Sequence, residues 1–264
     1  MSANPSPATA TTPRGPATRT IPAQAEAAAV GIDLGSRYLR VWASGRPMVD
    51  VPAMTHSRTP LVRRGRVVDE NGVAMLLNRL AGRYAQPVPA GSLLVVCRPI
   101  LATAEHERLV RDLLGEVFSA SRVLFLDAVR AAAIGAGARS GPLLVADVGA
   151  EITELAVVAE GRVIAARRRD HGIADEPPGQ HDRLADTVAE LWHDLQRDEA
   201  IRVYDAEVRC RPLLVTGGGG EQSTLAAALS HRLELPVRPA AAPRLAGARG
   251  AGLAAVAALR HARP

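Results

Sequence analysis

The chain has 264 residues, of which 47% are hydrophobic and 22% are charged, which excludes a chain that is disordered throughout and allows one large or two small domains. Its net charge is +5, and all of its strongly basic residues are arginines that are interspersed with acidic residues. Because no nucleic-acid-binding motif is present, this charge does not predict a nucleic acid partner.

The N-terminal segment predicts a disordered tail followed by a β-hairpin. Residues 1–28 are rich in proline, alanine, threonine and serine, and they contain too few large apolar residues to offset the entropy of ordering. Alternating apolar residues then lead into Asp33 and Gly35 and continue beyond them. This pattern predicts two strands joined by a turn that carries a carboxylate and a glycine.

The next hundred residues alternate between strand and helix patterns. Helices are predicted from the spacing of apolar residues, and the last of them is alanine-rich, ends in glycine and is thin enough to pack closely against another helix. The predicted strands are 47–51, 61–68, 92–97 and 122–126, and the predicted helices are 73–85, 105–118 and 128–137.

A second hairpin of the same kind is predicted at residues 143–158. Asp147 and Gly149 stand in its turn, at an offset of 147 − 33 = 114 residues from Asp33 in the first hairpin. The glycine lets backbone amides approach an anion, and the carboxylate can hold the water shell of a metal ion. The repeat predicts two related halves.

The second half continues with the same alternation of strands and helices. Strands are predicted at 162–168, 212–216 and 235–238, and helices at 181–199, 225–233 and 250–261, with a glycine run at 217–220. The fold class predicted from this order of elements is α/β.

Cysteine usage and hydropathy predict the compartment. Cys97 and Cys210 each lie within or beside an apolar run, which predicts buried, reduced thiols and not a disulfide framework. No apolar run has the length of a transmembrane helix, and no signal peptide is recognisable. We therefore expect a cytoplasmic protein whose contact with the inner face of the membrane is at most peripheral.

Five stretches, taken in order, resemble motifs of the actin-like ATPase superfamily, and within it the bacterial MreB proteins. GIDLGS (31–36) resembles the phosphate-1 loop, ADVGAEITE (146–154) the phosphate-2 loop, AAAIGAG (131–137) the connecting helix, LLVTGGGG (213–220) the adenosine loop, and residues 234–252 the closing segment.

The resemblance implies two RNase H-like subdomains that face each other across a nucleotide cleft. Subdomain IA would cover residues 29–140 and subdomain IIA residues 141–248, with a C-terminal helix at 249–264 that packs back on IA. The family also has two outer subdomains, IB and IIB. The segments available for them here are short, so we expect both to be lacking.

The resemblance also implies a site for ATP and Mg²⁺. Asp33 and Asp147 would hold the Mg²⁺ ion through water molecules. The candidate ligands lie on the two phosphate loops and the adenosine loop: Asp33, Gly35, Ser36, Asp147, Gly149, Thr153, Gly217, Gly218 and Gly219.

The expected catalytic acid is missing from its family position. Ala128 occupies the place of the acid that orients the attacking water. Asp127 is its neighbour, but a shift of one residue on a helix turns a side chain by about 100°. We therefore expect a weak or degenerate ATPase.

The phosphate-2 loop departs from the family pattern as well. Ala150 and Glu151 replace successive glycines, and Glu151 is expected to place a negative charge near the phosphates. Because the chain has no lysine, Arg37 or Arg40 would have to supply a basic contact. ATP binding is therefore expected to be weak or absent.

The resemblance implies a cytoskeletal or scaffold protein that acts in cell shape, cell-wall synthesis or sporulation-linked wall assembly. Its expected partners are further copies of itself, other MreB-type proteins and cell-wall synthesis proteins. Two alternatives stay open: an ATPase or small-molecule kinase of the same fold, and an adaptor similar to FtsA or PilM.

Overall fold

A computed structural model describes residues 27–56, 58–138 and 140–261, so most of the predicted tail lies outside the described residues. The strands in chain order are β1 (Ala29–Leu34), β2 (Tyr38–Ala43), β3 (Val49–Pro52), β4 (Val62–Arg63), β5 (Arg66–Val67), β6 (Leu93–Arg98), β7 (Arg122–Asp127), β8 (Leu143–Val148), β9 (Thr153–Ala159), β10 (Arg162–Arg169), β11 (Leu213–Thr216) and β12 (Val237–Pro239). The helices are α1 (Glu70–Ala81), α2 (Ala104–Phe118), α3 (Ala128–Gly135), α4 (Asp182–Gln196), α5 (Asp205–Arg209), α6 (Ser223–Leu233) and α7 (Ala246–His261).

Two five-stranded sheets have the same topology. The strand order is β3-β2-β1-β6-β7 in the first sheet and β10-β9-β8-β11-β12 in the second. In each sheet the first three strands form an antiparallel meander, and the last two run parallel to the central strand. The α/β prediction is confirmed, and the repeated hairpins are β1–β2 in the first sheet and β8–β9 in the second.

Helices cover both faces of each sheet, which explains why the central strands are apolar along their whole length. The apolar cores place α1 and α2 on the outer face of the first sheet, and α4 and α6 on the outer face of the second. The inner faces pack against α3 and α7, which lie between the two sheets. We call the first sheet with α1 and α2 the first half, and the second sheet with α4 and α6 the second half.

The two inner helices cross with almost no side chain between them. A methyl group added at Gly135 of α3 would lie 1.9 Å from the Ala246 carbonyl oxygen of α7. One added at Gly250 of α7 would lie 1.7 Å from the Ala131 carbonyl oxygen of α3. These distances confirm that the alanine-rich helix packs closely against another helix.

Helix α7 also lies directly on the central strand of the first sheet. A methyl group on Gly31 of β1 would lie 2.2 Å from the backbone nitrogen of Gly252, and one on Gly252 would lie 2.1 Å from the Trp42 ring of β2. The helix begins at Ala246, three residues before the predicted boundary at 249, and it packs on β1, β2 and β6.

Residues 61–68 were predicted as a single strand, and this prediction is wrong. They form the short antiparallel hairpin β4–β5 instead. Arg64 and Gly65 at its tip both have positive φ angles, of 47° and 71°. Such a pair reverses the chain in a two-residue turn.

The prediction for the two cysteines is half right. Cys97 on β6 is buried, but Cys210 is exposed, because α5 ends immediately before it and no strand covers it. Among the described residues, no helix has the length and apolar character needed to cross a membrane.

Gly250→Ala should destabilise the protein by about 3 kcal/mol or more, because the new methyl group has to displace the backbone of α3. Urea unfolding would measure this change in the free energy of unfolding. Gly115→Ala is the matched control, since no atom of the described residues lies within 4 Å of a methyl group there on α2. The control should stabilise the protein by about 0.5–1 kcal/mol through helix propensity. Equal stability of Gly250→Ala and wild type would contradict the close crossing.

Candidate functional site

A cavity of about 310 Å³ lies between the two halves, at the C-terminal ends of β1 and β8. In a sheet with parallel strands, side chains that follow the carboxyl ends of neighbouring strands meet at one edge. Here the ends of two such sheets face each other. Residues from both halves therefore line one site.

The first hairpin brings an ion pair to the cavity. Asp33 and Arg40 are register partners on β1 and β2, and Arg40 Nη1 donates to Asp33 Oδ2 at 2.8 Å. Arg40 is 8% exposed, and its Nε has no partner among the described residues. The turn closes where the Gly35 amide donates to the Tyr38 carbonyl at 3.1 Å.

The second hairpin carries two carboxylates at the equivalent positions. Asp147 and Glu154 are register partners on β8 and β9 and both line the cavity. Asp147 Oδ1 accepts a hydrogen bond of 3.1 Å from the Thr216 hydroxyl, and Glu154 Oε1 accepts one of 2.6 Å from the Ile100 amide. Glu154 is 1% exposed, and within the described chain its Oε2 has no partner.

Burial and mutual repulsion shift the titration of these acids. Desolvation, followed by the charge of Asp33, raises the pKa of Asp147 to about 6. Desolvation, followed by the charge of Asp147, raises the pKa of Glu154 to about 8. Burial and the same aspartates also raise the pKa of the Cys97 thiol. The second half of the site is thus short of positive charge, and a cation bound there would be stabilised.

The glycine run after β11 brings backbone close to the second hairpin. Gly217 has φ of 71°, and a methyl group there would lie 2.4 Å from the Val148 carbonyl oxygen and 2.6 Å from Asp147 Oδ1. Only glycine allows this approach. Gly218 follows it and also lines the cavity.

Two arginines make cation–π contacts with the same tyrosine ring at the cavity. The guanidinium groups of Arg40 and Arg244 each lie 5.4 Å from the centroid of the Tyr38 ring. Arg244 follows β12 in the second half, and its Nε lies 3.7 Å from Glu221 Oε1. This cation–π stack joins the second half to the first hairpin.

Solved structures with the same architecture decide the fold. The chain matches MreB5 of Spiroplasma citri bound to AMPPNP at a TM-score of 0.77 and 14% identity, over 90% of this chain and 98% of that one. It matches a MamK double helical filament at a TM-score of 0.67 and 15% identity, over 86% of this chain and 98% of that one. It matches a chain of a PilM–PilN type IV pilus biogenesis complex at a TM-score of 0.56 and 14% identity, over 88% of this chain and 99% of that one.

The chain has the actin-like ATPase fold. No family model matches the sequence, and no curated protein matches it. Similarity at these identities establishes the fold and leaves the activity to be argued from the site.

Seven of the nine predicted ligand residues line the cleft of this actin-like fold. They are Asp33, Gly35, Ser36, Asp147, Gly149, Gly217 and Gly218. The other two lie elsewhere. Thr153 is fully buried and its hydroxyl donates to the His171 carbonyl at 2.7 Å, whereas Gly219 packs against the Val148 side chain.

The resemblance predicts that Ala128 stands in the place of the catalytic acid, where a methyl group supplies no carboxylate. Ala128 lines the cleft. Asp127 precedes the first turn of α3, and its carboxylate accepts a hydrogen bond of 2.8 Å from Arg98 Nε. Asp127 is therefore held in an ion pair beside the cleft.

Glu151 does more than the sequence predicts. It lines the cleft, as its place in the phosphate-2 loop implies, but its Oε2 accepts a hydrogen bond of 2.7 Å from the Arg64 amide of the opposite half. Part of its charge is thus directed to a protein contact and away from a ligand.

Sequence reasoning missed two residues of the site, Glu154 and Arg244. Glu154 stands 114 residues after Arg40, as Asp147 does after Asp33, so the repeat carried a signal for it. Arg244 lies in the stretch that resembles the closing segment, which gave no signal for a ligand-facing arginine, and only the fold brings it to Tyr38.

The donor set fits a hydrated Mg²⁺ ion with a phosphate group. Within the described residues no three ligand side chains converge to coordinate a metal directly. Two facing carboxylates, Asp33 and Asp147, suit an ion that keeps its water molecules. The glycine turns beside them leave room for an anion to approach the backbone.

Glu154→Gln should change how stability depends on pH. Because its folded pKa of about 8 lies above the ordinary 4.5, Glu154 contributes stability that is fully present below pH 4.5 and is lost as the pH rises through about 8. Between pH 4.5 and 8, urea unfolding should show that the free energy of unfolding falls in wild type by about 5 kcal/mol more than in the variant. In the variant, the free energy of unfolding should still decline up to about pH 6, because the pKa of Asp147 is raised to about 6.

Glu160→Gln is the control for this experiment. Glu160 is exposed in the turn between β9 and β10, so its removal should leave the pH profile unchanged. A Glu154→Gln profile that runs parallel to wild type would show that the Glu154 carboxyl titrates as in water.

Proposed function

We propose that this protein is an MreB-like scaffold or cytoskeletal protein whose cleft binds Mg–ATP weakly and hydrolyses it slowly or not at all. One observation carries the proposal. Asp33 and Asp147 stand at the same position of two repeated hairpins and line a single cavity from opposite halves. The MreB5 structure of the same fold is described as bound to AMPPNP, which supports a nucleotide as the ligand.

Residues of this chain account for the binding. The aspartates would hold hydrated Mg²⁺, which neutralises phosphate charge when it is bound. The turns at Gly35 and Gly149 would bring backbone amides to the phosphates. Arg40 lines the cavity and is 8% exposed, and its guanidinium group would supply positive charge to the phosphates.

Weak binding follows from charge and from enclosure. Five acids and three arginines line the cavity: Asp33, Asp147, Glu151, Glu154 and Glu221 against Arg37, Arg40 and Arg244. Because its pKa of about 8 leaves Glu154 mostly protonated at neutral pH, four carboxylates remain against three guanidinium groups. An anion therefore enters an acidic site unless a cation accompanies it. The segments where outer subdomains would stand, 53–92 and 170–181, hold only a short hairpin, α1 and one 3₁₀ turn among their described residues.

Slow hydrolysis follows from Ala128. The methyl side chain of alanine cannot accept a hydrogen bond from a water molecule, so no side chain at that position orients the attacking water. This argues against the alternative of an ATPase or small-molecule kinase. The adaptor alternative retains support, since a chain of this fold occurs in the PilM–PilN complex.

The role in the cell is proposed from the same class of protein. We infer that the chain acts in cell shape, cell-wall synthesis or sporulation-linked wall assembly. Its partners would be copies of itself, other MreB-type proteins or cell-wall synthesis proteins, at most peripherally at the membrane. A filament of the same fold supports self-association.

Isothermal titration calorimetry should detect Mg–ATP with a Kd on the order of 1 mM, which corresponds to about −4 kcal/mol. Asp147→Asn should weaken this binding by about 10- to 100-fold, because it removes a negative charge that orients the metal's water shell. Asp205→Asn is the control, since Asp205 pairs with Arg209 on α5 in the second half and does not line the cavity. Absence of heat at saturating nucleotide for wild type would sink the nucleotide-binding proposal.

Sedimentation equilibrium should reveal self-association whose extent changes little when Mg–ATP is added, because a weakly filled cleft shifts the assembly equilibrium little. A monomer at every accessible concentration would contradict the cytoskeletal role and favour the adaptor. Assembly that requires nucleotide would contradict weak coupling between the cleft and the polymer.

A further inference from the structure

The hairpin β4–β5, residues 62–67, projects from the first half towards the second. We call it the strap hairpin. Its tip is formed by Arg64 and Gly65, and Gly65 lines the cleft. Arg64 has φ of 47°, a region that is unfavourable for a residue with a side chain. Such strain persists only where surrounding contacts hold it.

The contacts that hold Arg64 come from the second half, and its backbone makes two of them. Its amide donates to Glu151 Oε2 at 2.7 Å, and its carbonyl oxygen accepts from Arg168 Nη2 at 2.7 Å. The strained conformation thus presents both polar groups of the peptide backbone to the opposite half.

The guanidinium group of Arg64 forms a bidentate ion pair on the same surface of the second half. Nη2 donates to Asp175 Oδ1 at 2.8 Å and Nη1 to Asp175 Oδ2 at 2.9 Å. Nη1 also lies 2.6 Å from the Asp170 carbonyl oxygen and bonds the Glu151 carbonyl. A planar guanidinium matches a carboxylate in this two-pronged manner, and a lysine ammonium does not.

The ion pair is partly shielded from solvent. The Arg64 side chain is 33% exposed and the Asp175 side chain 29%. Partial burial acts to raise the pKa of Asp175, but hydrogen bonds from Arg64 and from the Gly172 amide outweigh it and lower the pKa. The carboxylate therefore stays charged at neutral pH and keeps both acceptors.

The acceptors of Arg64 belong to the wall of the cleft. Glu151 stands in the phosphate-2 loop, and Asp175 ends a short 3₁₀ turn that braces this loop. In that brace the Ile173 amide donates to the Gly149 carbonyl at 3.1 Å and the Ala174 amide to the Ala150 carbonyl at 2.8 Å. Arg64 thus ties the first half to the loop that would receive phosphate.

We propose that Arg64 is a built-in strap that holds the two halves closed across the cleft without any bound nucleotide. Ile100 adds a second link beside it, since its amide donates to Glu154 Oε1 and its carbonyl accepts from Arg168 Nη1 at 3.4 Å. The contacts of Arg64 are made within the protein and do not require bound ATP. The strap can therefore be tested independently of the proposed function.

Distance measurement between two spin labels tests the strap. Met75 on α1 is 70% exposed and Cys210 of the second half is exposed, so Met75→Cys with the native Cys210 gives one label on each half. Cys97→Ala removes the remaining thiol. In this background we expect one narrow distance distribution without nucleotide, unchanged by Mg–ATP. Arg64→Gln should broaden it towards longer distances.

Arg63→Gln is the matched control. Arg63 is the neighbouring arginine, its side chain is 58% exposed, and its Nε lies 3.7 Å from Glu151 Oε1. Its replacement should leave the distances unchanged. Asp175→Asn weakens the same ion pair from the other side, and it should broaden the distance distribution as Arg64→Gln does. It provides the test if Arg64→Gln folds poorly. A narrow distribution in both strap variants, or a wild-type distribution that narrows only with nucleotide, would overturn the proposal.

Discussion

The two sheets of this molecule are held at a separation set by glycine. Where α3 crosses α7, a single added methyl group at Gly135 or Gly250 would enter the backbone of the other helix. A third close approach, between Gly31 and Gly252, seats α7 on the central strand of the first sheet. Because interiors are packed as densely as crystals, bulk added at this crossing would move the sheets apart. The cleft at the ends of β1 and β8 exists only while they stay close.

Across this cleft the repeated hairpins are alike in backbone and different in charge. The aspartate of the first hairpin faces an arginine in register, whereas the aspartate of the second faces a glutamate. The first site is neutralised within its own hairpin, while the second leaves Asp147 and Glu154 with raised pKa values. A cation bound at this wall of the cleft would therefore be stabilised, which supports the proposal of a hydrated metal ion there.

The same wall is attached to the opposite half by protein contacts. Glu151 lies in the turn between β8 and β9, and its carboxylate accepts a hydrogen bond from the Arg64 amide of the strap hairpin. On the other side of the cavity, Arg244 stacks on Tyr38. Contacts that join the halves directly reduce the need for a ligand to hold them together.

Local patterns in the sequence determined the order of the elements, the two Asp-x-Gly turns and the thin alanine-rich helix, because each depends on residues close together in the chain. Most predicted ligands reached the cleft for the same reason, since they sit in those turns. Only the tertiary structure decided the roles of Arg64, Glu154 and Arg244. Arg64 meets Asp175 across 111 positions of the chain, and Glu154 meets Ile100 across 54. No local period encodes such contacts, and 61–68 was mistaken for one strand because the turn at Arg64 is stabilised by the far half of the molecule.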